Sequence, residues 1–357
     1  MSLYRDTYAQ INLRNLKENI ETTYKKFKRP LMAVIKADAY GHGYQEVASY
    51  IKDIDYIEMF AVATLYEAIE LRELGIEKGI LVLGAVPTTK EEIDLAIKYD
   101  ISLTMISWEY LHHLTSLIDD KPLKVHIKLD TGMHRIGLTS RQELEELMNT
   151  VDRNKFILDG IFTHYATADG DDVAFNQQRE LFYQMIDGYQ FKYVHCCNSA
   201  AMTYHHDTGS NLGRIGIVMY GIDPAGNETD EFKQVMSLFS KVSMVKQINQ
   251  GERVGYGLTY QAKENEYIAT IPIGYADGLI RKNQGRKVYI NGNYYQIVGR
   301  VCMDQMMVKV DETVKAGDQV EIFGDHISLA SMAKDLETIP YEITCLISKR
   351  VERVYIK

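Results

Sequence analysis

The stretch AVIKADAYGHG, residues 33–43, carries a short apolar run up to Lys36 and then breaks at once into small and polar residues. A lysine set where a buried strand stops has its ammonium desolvated, which favours the neutral amine that attacks carbonyls. The residues after it form a turn whose alanines and glycines let backbone approach a ligand, with one phenol, Tyr40, among them. Lys36 is therefore a candidate covalent anchor. Most lysines at strand ends are simply solvated, so the weight of this reading comes from what surrounds it.

Outward from Lys36, from about residue 30 to 221, short apolar runs alternate with longer stretches of helical period. Candidate strands fall at 31–36, 59–63, 80–84, 102–106, 124–130, 157–163, 193–197 and 214–220. Eight parallel strands separated by helices fit a (β/α)8 TIM-type barrel better than an open doubly wound sheet. The intervening segments agree: LYEAIELRELG (65–75) closes on a glycine, and SRQELEELMNTV (140–151) opens with a serine cap and Glu143 three residues on. From about residue 236 the rhythm changes to strands joined by tight turns, and Asn291-Gly292 between two β-rich runs is a hairpin signal. A helix is expected over 327–336, a second near 340–348, and RVERVYIK closes the chain as a strand. The predicted organisation is a barrel over residues 10–233 followed by a mainly β C-terminal domain over 234–357, with residues 1–9 as an arm able to pair with it. DPAGNETDEF (223–232) has the turn residues and acidity of an exposed joint.

The chain has 357 residues, enough for a full core. Its formal net charge of -9 argues against non-specific binding to nucleic acid or anionic membrane. No apolar stretch approaches membrane-spanning length, and MSLYRDTYAQINL lacks the apolar core of a signal peptide, so a cytoplasmic location is expected. Cysteines at 196, 197, 302 and 345 form neither a CxxC pair nor a disulfide framework.

Active sites of such barrels lie at the carboxyl ends of the strands. On the strand assignment above, Lys36 ends the first strand, and Lys128, Asp130 and Arg135 lie at and just after the fifth. Thr163 and His164 end the sixth, Asn198 and Ser199 follow the seventh, and Arg214 opens the eighth. Gly213, Gly216 and the loop after Ser199 offer backbone N–H groups of the kind that hold a phosphate. Singly each has a plain alternative: His164 a structural histidine, Ser199 a helix cap, Arg135 a surface ion pair. It is their convergence on one barrel end that marks a site. No metal is expected, because the adjacent pairs His112-His113 and His205-His206 diverge and no HExxH or Cys/His spacing occurs. GHG (41–43) and GYG (255–257) lack the strand-GxGxxG-helix context of a nucleotide site.

Eight segments, in order, resemble the alanine racemases, pyridoxal 5'-phosphate (PLP) enzymes of the barrel-plus-β-domain type. They are AVIKADAYGHG (33–43), KLDTGMHRIG (128–137), THYATAD (163–169), NSAAM (198–202), GRIGIVMYG (213–221), VGYGLTY (254–260), IPIGYADG (271–278) and GRVCMDQ (299–305). The resemblance implies that Lys36 holds PLP as a Schiff base and is one catalytic base, and that Tyr256, entering from the partner subunit of a head-to-tail homodimer, is the other. It implies that Arg214 faces the pyridine nitrogen and that Tyr40, Ser199, Gly216 and Ile217 hold the phosphate, with Leu83, His164 and Asn198 completing the cofactor set. Arg135 would reach the cofactor's phenolic oxygen and the substrate carboxylate, the backbone of Met303 would touch that carboxylate, and Tyr275 would line the entrance. Lys128 matches a lysine often carbamylated in the family. The implied activity is interconversion of L- and D-alanine, supplying D-alanine for peptidoglycan.

The chemistry can be argued without the name. Racemisation needs a proton taken from one face of Cα and another delivered to the opposite face, so an amine and a phenol on either side of a planar cofactor suffice. An arginine at the ring nitrogen does not readily give up its proton, which makes the ring a poorer electron sink and disfavours transamination. Two departures from the family pattern occur in ISKRVERVY: Lys349 stands where relatives often carry a bulky neutral residue, and Glu352 where many carry Pro. They leave a serine or broader racemase as the alternative substrate reading. A non-catalytic PLP-binding protein is the alternative from another class. The PLP decarboxylases place an acidic residue where this chain has Arg214.

Overall fold

The computed structural model describes residues 5–86, 89–205 and 209–357; His206 and the first four residues of the N-terminal arm lie outside them. By its internal contacts the chain divides into two compact units. One comprises Asn19–Ala39 and Tyr44–Met219; the other takes the residues up to Glu18 together with Tyr40–Gly43 and Tyr220–Lys357. The β unit thus includes more of the chain than residues 234–357, because its sheet draws in an N-terminal strand and the Val235 N–H is bonded back to Tyr220 O. Among the described residues no helix is long and apolar enough to cross a membrane.

In chain order the first nine strands are β1 (Tyr8–Asn12), β2 (Leu31–Val34), β3 (Ile57–Val62), β4 (Gly79–Val82), β5 (Ile101–Met105), β6 (Leu123–Lys128), β7 (Phe156–Phe162), β8 (Tyr193–Val194) and β9 (Gly213–Ile215). Strands β2 to β8 lie side by side in sequence order, all parallel, and β9 pairs back on β2. The seam between β8 and β9 is closed by Asn211 N–H to Val194 O and Arg214 N–H to Cys197 O, both 2.9 Å. The result is the expected (β/α)8 barrel. Strands β2 and β5 are buried along their whole length; β2 reads accordingly as an unbroken apolar run, whereas β5 carries Ser102 and Thr104, and the buried Thr104 hydroxyl donates to Val82 O at 2.6 Å.

The connecting helices start where side chains can satisfy their first N–H groups. Thr64 with Glu67 and Thr89 with Glu92 form reciprocal capping boxes, and Ser140 Oγ accepts from Glu143 N at 3.2 Å. The final strand is shorter than the expected 214–220. It stops at Ile215, and Ile217–Tyr220 form a 3-10 turn in which Met219 N donates to Gly216 O. These apolar residues bury themselves by packing from a turn, which a run of hydrophobics alone does not distinguish from a strand.

The β unit carries a nine-stranded sheet in which β1 lies between Met236–Lys241, antiparallel, and Glu352–Ile356, parallel. Asn291 (φ 47°) and Gly292 (φ 90°) make the tight turn joining Lys287–Ile290 to Asn293–Val298. The run KVSMVKQI (241–248) is not one strand: Lys241 ends the strand Met236–Lys241, and after Val242-Ser243 the chain resumes as Met244–Ile248. The two helices expected near the C-terminus are Leu329–Leu336 and Pro340–Leu346. A buried carboxylate ties the arm to this unit: Asp277 accepts from Arg5 Nη1 (2.6 Å), Arg5 Nη2 (2.8 Å) and Gly274 N (2.9 Å). Removing one partner of a buried ion pair leaves the other charge desolvated. Arg5 is 27% exposed, so Asp277→Ala should cost less than the ~3–5 kcal/mol of a fully buried pair, read as a lower denaturant midpoint, whereas loss of an exposed pair such as Lys233–Glu18 should barely register.

Candidate active site

Lys36 stands just past the carboxyl end of β2, partly buried. The turn after it is a left-handed helical turn, not an ordinary loop. Ala37, Asp38 and Ala39 have φ/ψ near 52°/54°, 54°/46° and 54°/50°, and Tyr40 continues at φ 54°. Each L-residue there costs about 1–2 kcal/mol through crowding of Cβ against the carbonyl. The turn persists because its backbone is held at three points. Ala37 N–H donates to Glu67 Oε1 (2.6 Å), Ala39 N–H to Ile35 O (3.0 Å), and Tyr44 N–H to Asp38 Oδ1 (2.9 Å). Glu67 Oε2 meanwhile accepts from Ala63 N (2.8 Å) and Thr64 N (3.1 Å), so one carboxylate clamps the end of β3 to the turn that presents Lys36. Sequence reasoning missed Glu67. The Thr64-x-x-Glu67 spacing signals its capping box, but nothing local signals its reach to Ala37.

Deep in the barrel, the Arg214 guanidinium is buried and has no carboxylate among its described partners. Nη1 donates to His195 O and to His195 Nδ1 (3.0 Å). Nη2 donates to Thr163 O (2.9 Å), His164 Nδ1 (3.3 Å) and Cys196 O (3.3 Å). A guanidinium has five N–H groups and no acceptor; the four on Nη1 and Nη2 are engaged, and the Nε–H is left over. Burial lowers the Arg214 pKa to about 10, which still leaves it charged at neutral pH.

Burial and that cation together shift the ionisation of Lys128 and His164. Lys128, at the end of β6, is pulled down to about 8 by burial and then by Arg214, and its Nζ donates to Leu129 O at 2.6 Å. His164 is held well below the ordinary imidazole range by burial and by Arg214, Arg135, Lys128 and Lys36, so it is neutral. Burial pushes the Asp130 carboxyl up, but N–H donors from His134 (2.9 Å) and Gly132 (3.0 Å) and the Lys128 cation outweigh it, leaving it ionised. Arg135 is exposed on the following loop and makes no side-chain hydrogen bond among the described residues.

Ser199 begins the short helix Ser199–Tyr204 behind its cap Asn198, whose Oδ1 accepts from Ala201 N (3.0 Å). Ser199 Oγ accepts from Gly216 N (3.0 Å), which brings two expected phosphate ligands together; the Ile217 N–H next to them has no acceptor among the described residues. Leu83 lies just past β4 at the same end of the strands. The barrel unit thus gathers Lys36, Leu83, Lys128, His164, Asn198, Ser199, Arg214, Gly216 and Ile217 at its carboxyl end.

The remaining expected residues belong to the β unit. Tyr40 packs its ring against Tyr220 (4.9 Å) and Tyr341 (6.4 Å), and burial pushes its phenol well above the ordinary range. The next residue, Gly41, fits where a Cβ would fall 2.1 Å from Thr344 O. Tyr275 and Met303 are neighbours, with Tyr275 N–H to Cys302 O and Ala276 N–H to Met303 O, both 3.0 Å. Tyr256 is 72% exposed, and Tyr275 and Met303 are also exposed. Lys349 is exposed without a side-chain hydrogen bond among the described residues, and Glu352 opens the last strand.

Fold and site together define a barrel enzyme whose strand-end lysine and cationic mouth suit an anionic carbonyl compound. Comparison with known proteins narrows the class. The family descriptions "Alanine racemase, N-terminal domain" and "Alanine racemase, C-terminal domain" match residues 11–224 and 235–355. An alanine racemase of Streptococcus pyogenes serotype M6 is 41% identical over 367 residues, covering 99% of both chains. The solved alanine racemase of E. faecalis superposes with a TM-score of 0.94 at 38% identity over 100% of both chains. A histidine racemase from Leuconostoc mesenteroides reaches 0.91 at 28% identity, covering 100% of this chain and 99% of that one. The chain belongs to the alanine racemase family, a family of isomerases.

The strained turn gives a direct check. Glycine adopts positive φ without the Cβ clash, and Ala37 is exposed, so its methyl contributes little packing. Ala37→Gly should leave stability unchanged or raise it, where the same exchange inside a right-handed helix costs about 0.5–1 kcal/mol; denaturant titration measures the sign.

Proposed function

We propose that the chain interconverts L- and D-alanine with PLP, using Lys36 and Tyr256 of the partner subunit as two bases, one for each face of the substrate Cα. The observation that carries this reading is the leftover Arg214 Nε–H: a buried guanidinium with four N–H groups tied to the barrel and one donor free for a ring nitrogen. The donor set also fits the group's other end, since Ser199 Oγ and the Ile217 N–H suit a phosphate, with the Tyr40 phenol as the third expected contact. When bound, PLP supplies an electron sink that makes the substrate Cα–H acidic.

What the protein's own groups do follows from their protonation. A lysine amine desolvated at a strand end can accept a proton at neutral pH. His164 takes an N–H from Arg214 on Nδ1, so its own proton sits on Nε2. An Nε2–H directed at the phenol of the partner subunit's Tyr256 would favour the phenolate and make it a competent base. Arg135, exposed and without a side-chain hydrogen bond among the described residues, suits capture of the substrate carboxylate. An exposed Tyr256, with Leu258, Tyr275 and Met303 also exposed on the same unit, suits a surface that is covered on dimerisation. Supply of D-alanine to peptidoglycan is the corresponding cellular role.

Incubating the protein with L-alanine and PLP in deuterated water should give deuterium at Cα of both enantiomers; bound PLP without exchange would favour a binding protein instead. The shared site makes a sharper forecast. Lys36→Ala and Tyr256→Phe, each inactive alone, should recover about a quarter of wild-type activity when coexpressed, because half the dimers are mixed and each mixed dimer rebuilds one intact site. No recovery from an assembled mixture would place both bases in one chain.

Lys128 makes a separate forecast. A neutral amine attacks CO2, forming an N–C bond and releasing a proton to water, and the carbamate would replace a cation beside Arg135 with an anion able to orient it. With the ammonium pKa lowered to about 8, the reactive amine fraction rises with pH through that value. A 13C carbamate signal from labelled bicarbonate should grow from pH 6.5 to pH 9, with these bounds spanning roughly the titration range, and should be missing in Lys128→Ala.

A further inference from the structure

Behind Arg214 lies a pair of buried imidazoles to which no role has been assigned. His195 follows β8 and His126 sits in β6; neither has any exposed surface. His126 Nδ1 lies 2.8 Å from His195 Nε2, and His195 Nδ1 lies 3.0 Å from Arg214 Nη1. The His195 ring stacks on Phe162 (4.5 Å), and the His126 ring lies parallel to Tyr193 (5.8 Å). Gly160 leaves room for the His126 ring, since a Cβ there would fall 2.4 Å from its Nδ1.

Counting protons fixes the direction of this chain. Arg214 can only donate, so His195 Nδ1 must accept. Burial pushes both imidazoles far down, His126 to about 3, so each carries a single proton. The proton of His195 is therefore on Nε2 and is donated to His126 Nδ1, and the proton of His126 is on its own Nε2. That last N–H has no acceptor among the described residues. A buried donor without a partner destabilises a fold, so the pair is a poor choice as packing, and an apolar side chain would serve the core better.

We propose that His126 is a positioning residue for the reaction: by accepting from His195 Nε2 it locks the His195 tautomer that holds both Nη1 hydrogens of Arg214, and so keeps the Arg214 Nε–H available to the cofactor's ring nitrogen. This rests on the role given to Arg214 above. Without an acceptor at residue 126, the Nε2–H of His195 becomes a buried donor with no partner, and the bond from Arg214 is left alone to hold that tautomer. The other His195 tautomer sets an N–H against the N–H of Arg214 Nη1, and the guanidinium must shift.

The experiment uses the PLP-loaded enzyme as wild type, His126→Leu and His126→Asn, the last of which returns an acceptor near the position of Nδ1. Nitrogen-15 spectra of histidine-labelled wild type should show a neutral His195 with its proton on Nε2, scalar-coupled across the hydrogen bond to His126 Nδ1. His126→Leu should melt at or above the wild-type temperature, yet lose on the order of tenfold in kcat with little change in KM and show a raised ratio of transamination to racemisation. His126→Asn should restore that ratio. If His126→Leu does not fold, His126→Gln, which moves the polar group away from the Nδ1 position, takes its place and should show the raised ratio that His126→Asn lacks. A wild-type spectrum with the proton on His195 Nδ1, or an unchanged ratio in the variant lacking the acceptor, overturns the proposal. Wild type that binds PLP without exchanging Cα overturns the reading of the whole site and this role with it.

Discussion

A guanidinium buried with no carboxylate partner among the described residues is the constraint around which the barrel unit is arranged. Taking a charge out of water is expensive unless hydrogen bonds replace the lost hydration. Arg214 finds its replacements in the carbonyls of Thr163, His195 and Cys196 and in two neutral imidazoles. Those acceptors come from the ends of β7 and β8, while the Arg214 main chain bonds Cys197 O. The same residue therefore closes the barrel seam with its backbone and binds the neighbouring strand ends with its side chain. Burial keeps His164 and His195 uncharged and lowers Lys128, and the Arg214 charge adds to each of these shifts.

The opposite strategy is used at Lys36. There the backbone, not a charge, is held in an unfavourable state, with four consecutive L-residues at positive φ. Strain of this kind persists only where the surroundings over-determine it. Glu67, Ile35 O and Asp38 supply that determination, and Glu67 does so while also capping its own helix. The outcome is a lysine whose main chain is hydrogen-bonded at the residues before and after it, as the role proposed for its amine requires.

In the β unit Tyr256, Tyr275 and Met303 are exposed, whereas Asp277, two residues from Tyr275, is buried and bonded to Arg5. Asp277 fixes the turn that carries Tyr275, and the dimer proposed above would cover these exposed side chains.

The architecture was legible in the chain because buried parallel strands read as short, mostly apolar runs, as LMAV (31–34) does throughout, and because Ser140 with Glu143 and Asn291-Gly292 are local devices that work within a few residues. Strand-end chemistry was legible for the same reason: Lys36, Lys128, His164 and Arg214 are each marked by where an apolar run begins or stops. The 3-10 turn at Ile217–Tyr220 was not, since an apolar run reads alike whether it pairs or packs. What the sequence by itself determined was residue types, their order and the periodicity that sends them to one end of a barrel. Only the tertiary structure decided the left-handed turn after Lys36, the reach of Glu67 to Ala37 and the one-way run of protons from Arg214 through His195 to His126. The reason is physical: the Glu67–Ala37 and His126–His195 contacts join residues 30 and 69 positions apart, and a hydrogen bond's direction is set by which groups meet, not by where they stand in the sequence.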